Sequence, residues 1–156
     1  MEIWKIFTNE YLLVPVSAWL IAQVLKTIIN AIVNRELEIS RLFGDGGMPS
    51  GHSATVSALA FVCGFSYGFD SVVFAIAGIL AVVVMHDAMG VRRETGKQAV
   101  SILEIVDVVN KYVSEKDKTV KADKLKVMVG HTPLQVICGA LLGFLVALGH
   151  YLIFIA

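Results

Sequence analysis

Gly47-Met48-Pro49-Ser50-Gly51-His52-Ser53-Ala54 joins a flexible turn, a backbone notch of anion size and an imidazole at the mouth of an apolar helix. Glycines at 46, 47 and 51 let the main chain approach a ligand closely. A helix starting near Ser53 would aim its unpaired N–H groups and positive dipole end at an anion. His52 could give or take a proton there. The stretch therefore reads as equipment for holding a phosphate, set where a helix begins.

Its surroundings are membranous. The chain has 156 residues, 56% of them apolar, with zero formal net charge and its charges gathered in a few stretches. Length gives one domain, residues 1–156, and composition gives a membrane protein. Tyr11 to Val33 is apolar except for Gln23, Lys26, Thr27 and Asn30, and is long enough to cross a bilayer. Ser71 to Met85 continues into His86-Asp87-Ala88-Met89-Gly90, and Leu134 to Ile155 carries only His150; both read as spans. Ala54 to Tyr67 is shorter and holds Ser57, Cys63, Gly64 and Ser66, so it reads either as a span or as a re-entrant segment. The expectation is an all-α membrane bundle of about four transmembrane helices, two of them joined by the turn Tyr67-Gly68-Phe69-Asp70. The apolar stretch after Tyr11 is too long for a signal peptide and lacks a small-residue cleavage pattern, so the first helix is expected to stay. Cys63 and Cys138 fall in apolar segments and read as small buried hydrophobes.

Four crossings place the polar connections alternately on opposite faces. The segment 34–52, the stretch His86 to Lys97 and the polar region up to His131 then share one face. His52, Arg92, Arg93, Lys97 and His131 would meet one membrane boundary if the helices bundle. Eleven of the thirteen Lys and Arg residues lie on that face, with Lys26 inside a helix and Lys5 opposite. The positive-inside rule turns it toward the cytoplasm. Zero net charge gives no global steering toward nucleic acid, and no His/Cys/Asp cluster shows metal-ligand spacing.

A second motif, Gly130-His131-Thr132-Pro133-Leu134-Gln135, precedes the last apolar run. Pro133 suits a first helical turn, and a helix starting near Thr132 puts Gln135 beneath His131. Gln135 could then orient the imidazole by a hydrogen bond.

Pro49-Ser50-Gly51-His52-Ser53-Ala54, followed by His131 and the helix from Gln135 to Gly143, resembles the type 2 phosphatidic acid phosphatase superfamily, whose site is shared with vanadium-dependent haloperoxidases. With Asp87-Ala88-Met89-Gly90-Val91-Arg92-Arg93, Gly96-Lys97-Gln98-Ala99 and Gly130-His131-Thr132-Pro133, the resemblance is closest to the small, divergent branch of that superfamily and runs from about Leu12 to the C-terminus. It implies a phosphoryl transfer in two steps without metal or cofactor. His131 resembles the nucleophile and His52 the general acid, while Ser50 and the Gly51 amide would hold phosphate oxygens.

Three departures stand beside the resemblance. The serine-arginine pair usual before the nucleophile is missing, and Arg92 or Arg93, with the stretch 94–129 inserted after them, would take the arginine's place. Arginine suits bidentate phosphate contacts, and either residue also suits a positive anchor at a helix end. Lys97 reads as a further phosphate contact or a surface charge. The first basic motif is blurred: Lys26 is followed by Arg35 and Arg41 without its proline. Lys26 must snorkel or face a polar cavity, which makes it a candidate phosphate ligand, with Asn30 on the same face. Finally, Gln135 stands where an acidic residue normally supports the nucleophile, and Asp87 beside His86 is a conceivable substitute carboxylate.

Within the insertion, Val100, Leu103, Val106, Val109 and Val113 recur at three- and four-residue steps, which predicts an amphipathic helix covering the bundle at the water boundary. A second short helix is expected over 122–129. The functional expectation is a metal-independent membrane phosphatase acting on a lipid phosphomonoester or diphosphate, in the plasma membrane with its site facing the cytoplasm. The alternative is a non-catalytic lipid-binding or assembly protein that keeps a degenerate phosphate pocket.

Overall fold

The computed structural model describes residues 3–35, 46–112 and 130–154. A short 3-10 segment, Ile3–Thr8, leads into five helices: α1 (Glu10–Asn34), α2 (Gly51–Tyr67), α3 (Val72–Met89), α4 (Val91–Tyr112) and α5 (Pro133–Phe154). Among the described residues there is no strand, so the fold is all-α.

Side-chain chemistry at the helix starts explains the boundaries. Asn9 caps α1 by accepting the Tyr11 N–H at 2.9 Å, Ser50 caps α2 at Ser53, and Ser71 caps α3 at Phe74. Each cap satisfies a donor that has no intrahelical partner. α2 begins at Gly51, two residues earlier than expected, so His52 lies in its first turn.

α1, α5 and α3 together with α4 are long and apolar enough to cross a membrane. They carry a belt of exposed large apolar side chains, Leu20 and Val24 on α1, Ile76 and Ile79 on α3, and Ile137 and Leu141 on α5 among them. A water-facing surface rarely carries so much apolar area, whereas lipid accepts it. The chain is an integral membrane protein.

α2 is the short segment of doubtful character, and its 17 residues rise only about 26 Å. It sits at the centre and packs against α5, α1 and α3. Its buried face is built of Gly51, Ser53, Ala54, Ser57, Ala58, Ala60, Val62, Cys63 and Gly64. Small residues let backbones approach, and α5 answers with Gly139 and Gly143. A Cβ at Gly139 would fall on the Ser50 carbonyl oxygen, and one at Gly143 on the Ala54 carbonyl oxygen. The Ser57 hydroxyl crosses the same seam to donate to the Ala140 carbonyl at 2.8 Å.

α4 begins at Val91, one residue past the end of α3 with only the Gly90 cap between, well before the first residue of the apolar periodicity at Val100. Its partner in the bundle is α3, at their junction. The expected helix over 122–129, the break at 114–118 and Arg41 lie outside the described residues.

Candidate functional site

Two helix starts make the site. Met48-Pro49 is a cis peptide bond, and Gly46 and Gly47 before it adopt φ of 89° and 85°, which side-chain-bearing residues rarely take. This bend delivers Ser50 to the head of α2. The Ser50 N–H then donates to the backbone carbonyl of Gln135 at 3.0 Å, tying the first motif to the second. On the other side, the His131 N–H donates to the Ala88 carbonyl at 2.9 Å. Gly130, at φ 90°, lies so close to the Arg92–Arg93 backbone that a Cβ there would overlap it. Three motifs distant in sequence are thus sewn together by main-chain contacts at one end of the bundle.

Here the two imidazoles meet. The rings of His52 and His131 lie 5.8 Å apart between centroids, inclined by 63°. His131 is buried, with 3% of its surface exposed, and His52 is half-buried.

Gln135 decides which His131 nitrogen carries the proton. Its Oε1 accepts the Thr132 N–H at 3.0 Å, which fixes that atom as an acceptor. The same oxygen lies 3.3 Å from His131 Nδ1, so Nδ1 must be the protonated nitrogen. Nε2 is left with its lone pair, the state a nucleophile requires. The Thr132 hydroxyl returns a bond from the Gln135 N–H at 3.4 Å, completing a reciprocal cap at the start of α5. Thr132-Pro133-Leu134-Gln135 is that cap's sequence signature, a second job for Gln135 that its spacing already encoded.

Burial keeps the His131 imidazole below the usual histidine range. The hydrogen bond to Gln135 opposes this, the charges of His52 and Lys26 reinforce it, and a bond with the Gly47 backbone opposes it. The balance favours the neutral ring.

Lys26 is buried inside α1, 6% exposed, and its ammonium donates to Gln23 Oε1 at 2.6 Å. Its aliphatic stem passes under Gly47. Gln23, buried to the same degree, also stands near Gly51, where a Cβ would come within 3.8 Å of its side-chain oxygen. Sequence reading passed over Gln23; the available signal was an amide one helical turn before a lysine inside an apolar span. Ser50 is fully buried, its hydroxyl accepting from the Ser53 N–H and hydroxyl. The Gly51 N–H occupies the first helical position, where no intrahelical carbonyl can reach it.

The other predicted cations lie further out. Arg92 is exposed and pairs with Asp87 at 2.8 Å, so Asp87 supports that arginine while His131 turns to Gln135. Arg93 is exposed, its backbone beneath Gly130, and Lys97 is exposed and pairs with Glu94 at 2.6 Å. Among the described residues no group of three or more His, Cys, Asp or Glu side chains converges.

A neutral imidazole, a second imidazole beside it, helix-start amides and a buried ammonium are the elements needed to hold and attack an oxyanion. No solved structure matches the chain. It is 42% identical over 150 residues to an uncharacterised membrane protein, YuiD, of Bacillus subtilis strain 168, a match covering 92% of this chain and 95% of that one. The model of the divergent PAP2 family matches residues 7–146, nine-tenths of the sequence, and the chain belongs to that family.

Proposed function

We propose that the chain is a metal-independent phosphatase that hydrolyses a lipid phosphomonoester or diphosphate through a phosphohistidine. The observation that carries this reading is the approach of His52 and His131 to 5.8 Å at the heads of two packed helices. His131 Nε2 attacks phosphorus while His52 protonates the departing oxygen, so the P–O bond breaks as the P–N bond forms. His52, now neutral, takes a proton from water, whose oxygen displaces His131 from phosphorus and releases inorganic phosphate.

Ser50, the Gly51 amide and Lys26 hold the phosphoryl oxygens from the α1–α2 side. Arg92 and Arg93 approach from the rim, with Lys97 a turn beyond. Exposed ion pairs contribute at most about 1 kcal/mol, so Arg92 can exchange Asp87 for a phosphate at little cost. Gln135 sets the tautomer of His131 but offers no charge to its imidazolium, which slows turnover relative to a carboxylate. The grouping of basic residues turns the site to the cytoplasm of the plasma membrane. That favours inner-leaflet intermediates, such as phosphatidate or phosphatidylglycerophosphate, over a carrier recycled outside.

The second reading, a lipid-binding or assembly protein with a degenerate pocket, is favoured by the neutral Gln135. Purified protein given a panel of lipid phosphates separates the two. Phosphate release lost in both His131→Ala and His52→Ala supports catalysis; no release, or release indifferent to both changes, selects the second reading.

A further inference from the structure

Trp19, Gln23 and Lys26 fall at i, i+4 and i+7 of α1, on one face of the helix, and that face meets the head of α2. They come together at Gly51: a Cβ there would lie 3.2 Å from Trp19 Cδ1, 3.5 Å from the indole nitrogen and 3.8 Å from Gln23 Oε1. Gln23 and Lys26 are each 6% exposed, in a helix long and apolar enough to cross a membrane. A buried amide and a buried ammonium in such a place need hydrogen-bond partners. Each serves the other, since Gln23 Oε1 takes a Lys26 N–H at 2.6 Å. The Thr27 hydroxyl, next along the helix, gives its single proton to the Gln23 main-chain carbonyl at 2.9 Å and so makes no claim on that side-chain oxygen.

The identity of the acceptor matters. A lysine carries a compact charge on a flexible stem, so neighbours must decide where the charge sits. Here the stem is held at Gly47, whose Cβ position lies 3.2 Å from Lys26 Cγ, and the ammonium is held at Gln23. A carboxylate at position 23 would satisfy the ammonium and cancel its charge, whereas an amide oxygen directs an N–H and cancels nothing. The charge so placed reaches the second helix start as well, because it opposes protonation of the His131 imidazole. One ammonium thus stands between the head of α2, through Gln23 beside Gly51, and the buried histidine before α5.

We infer that Gln23 is a positioning residue for the anion site: it holds the Lys26 ammonium at the head of α2 and, being neutral, keeps that charge there for a phosphoryl oxygen. The inference rests on the phosphatase reading in one respect, the placing of a phosphate beside Lys26, and it gives a role to a residue which that reading leaves idle. Gln23 acts through Lys26 and touches no reacting atom.

A residue that works through another is tested by a double-mutant cycle, read as the affinity of the purified full chain for inorganic phosphate by titration calorimetry. Gln23→Met keeps the volume, loses the oxygen and should weaken phosphate binding about tenfold. Gln23→Glu keeps the shape and the acceptor but cancels the ammonium's charge, and should weaken binding at least as much. Adding Gln23→Met to Lys26→Met should cost less than about twofold more, because the group it positions is already gone. In turnover the loss from Gln23→Met should fall on KM, with kcat within about threefold, since Lys26 holds the phosphate before and during transfer. Affinity within twofold of the parent in Gln23→Met or Gln23→Glu overturns the inference. So does a loss in Gln23→Met that is equal with and without Lys26, the mark of packing alone, or a loss confined to kcat, or a parent with no affinity for phosphate. The expected binding pattern with no release from any lipid phosphate keeps Gln23 in its role and removes the phosphatase reading. Release that needs His131 and His52 yet ignores Gln23 leaves that reading intact and overturns the inference.

Discussion

Each end of the bundle holds a histidine, His131 just before α5 and His150 near its end, and the two are treated in opposite ways. At the far end, His150 Nε2 meets Glu10 Oε2 at 2.9 Å, joining the end of α5 to the start of α1, and its ring lies 5.0 Å from that of Phe154. Tyr11 stacks on Tyr67 there and Phe65 on Tyr151, an aromatic belt of the kind found at membrane boundaries. At the near end, His131 faces a neutral amide, a second imidazole and the charge of a buried lysine, with no carboxylate against it among the described residues. An imidazole held against a carboxylate makes a clamp; its lone pair is committed or its charge is neutralised. An imidazole denied a carboxylate and crowded by cations stays neutral, with a nitrogen to spare. The same residue type at the two ends of one helix is thus a clamp at one end and a neutral imidazole beside a second one at the other.

The largest test of this contrast is to remove each histidine in turn. His131→Ala should lower phosphate release by roughly 10³-fold or more, and His52→Ala by about 10²- to 10⁴-fold. His150→Ala should stay within about threefold of the parent, because a boundary clamp touches no reacting atom. Loss of activity on changing His150 as deep as that on changing His131 would erase the distinction.

Smaller effects follow at Gln135. Gln135→Ala removes the tautomer lock and should lower kcat by about 10–100-fold, the usual range for a group that orients a histidine. Gln135→Glu writes the far-end pairing into the near end. The carboxylate should raise the His131 pKa, moving the acid limb of the pH–rate profile upward while stabilising the imidazolium formed as phosphohistidine breaks down. A profile unmoved by this change would show that Gln135 does not govern the ring.

The pH dependence of the parent carries a definite sign. His131 titrates below its ordinary value of 6.5, first because it is buried, so the neutral form persists into mildly acid solution. The unfolded chain binds that proton more readily than the folded one, so this contribution to stability begins to fall as pH drops through about 6.5 and levels off below the lowered folded value. Lys26→Met should move the acid limb of kcat/KM upward, since one cation opposing the proton is gone.

The smallest effect belongs to the far clamp. Glu10→Gln should lower the thermal midpoint by about 2–4 °C, with kcat/KM within about twofold of the parent, as read by heating with phosphate release measured in parallel.

The bundle was largely legible in the sequence because α1, α3 and α5 are long apolar runs, and length in lipid leaves few alternatives. α2 was harder to place for the reason that makes it central: the small residues that let it touch three neighbours also lower its hydropathy. The beginning of α4 was missed because the charged stretch from Arg92 to Lys97 has no apolar period, so the helix is visible only where Val100 starts one. The pairing of His52 with His131 followed from topology, which puts both at helix starts on one face. Long exposed side chains resisted the same logic: topology put Arg92 beside the site, and Asp87, five residues before it, accepts its guanidinium. Gln23 escaped notice because its role depends on what lies across from it at Gly51.

The near end is assembled by peptide groups: Ser50 to Gln135, His131 to Ala88, and Gly130 lying on Arg92 and Arg93. Apart from Gly130, where a Cβ would overlap that backbone, such a frame is indifferent to which side chains hang from it. Lineages descended from one ancestor can therefore swap acid for amide, or arginine for lysine, and even lose reactivity altogether, while the vestibule keeps its shape; drift in the reactive groups need leave no trace in the architecture.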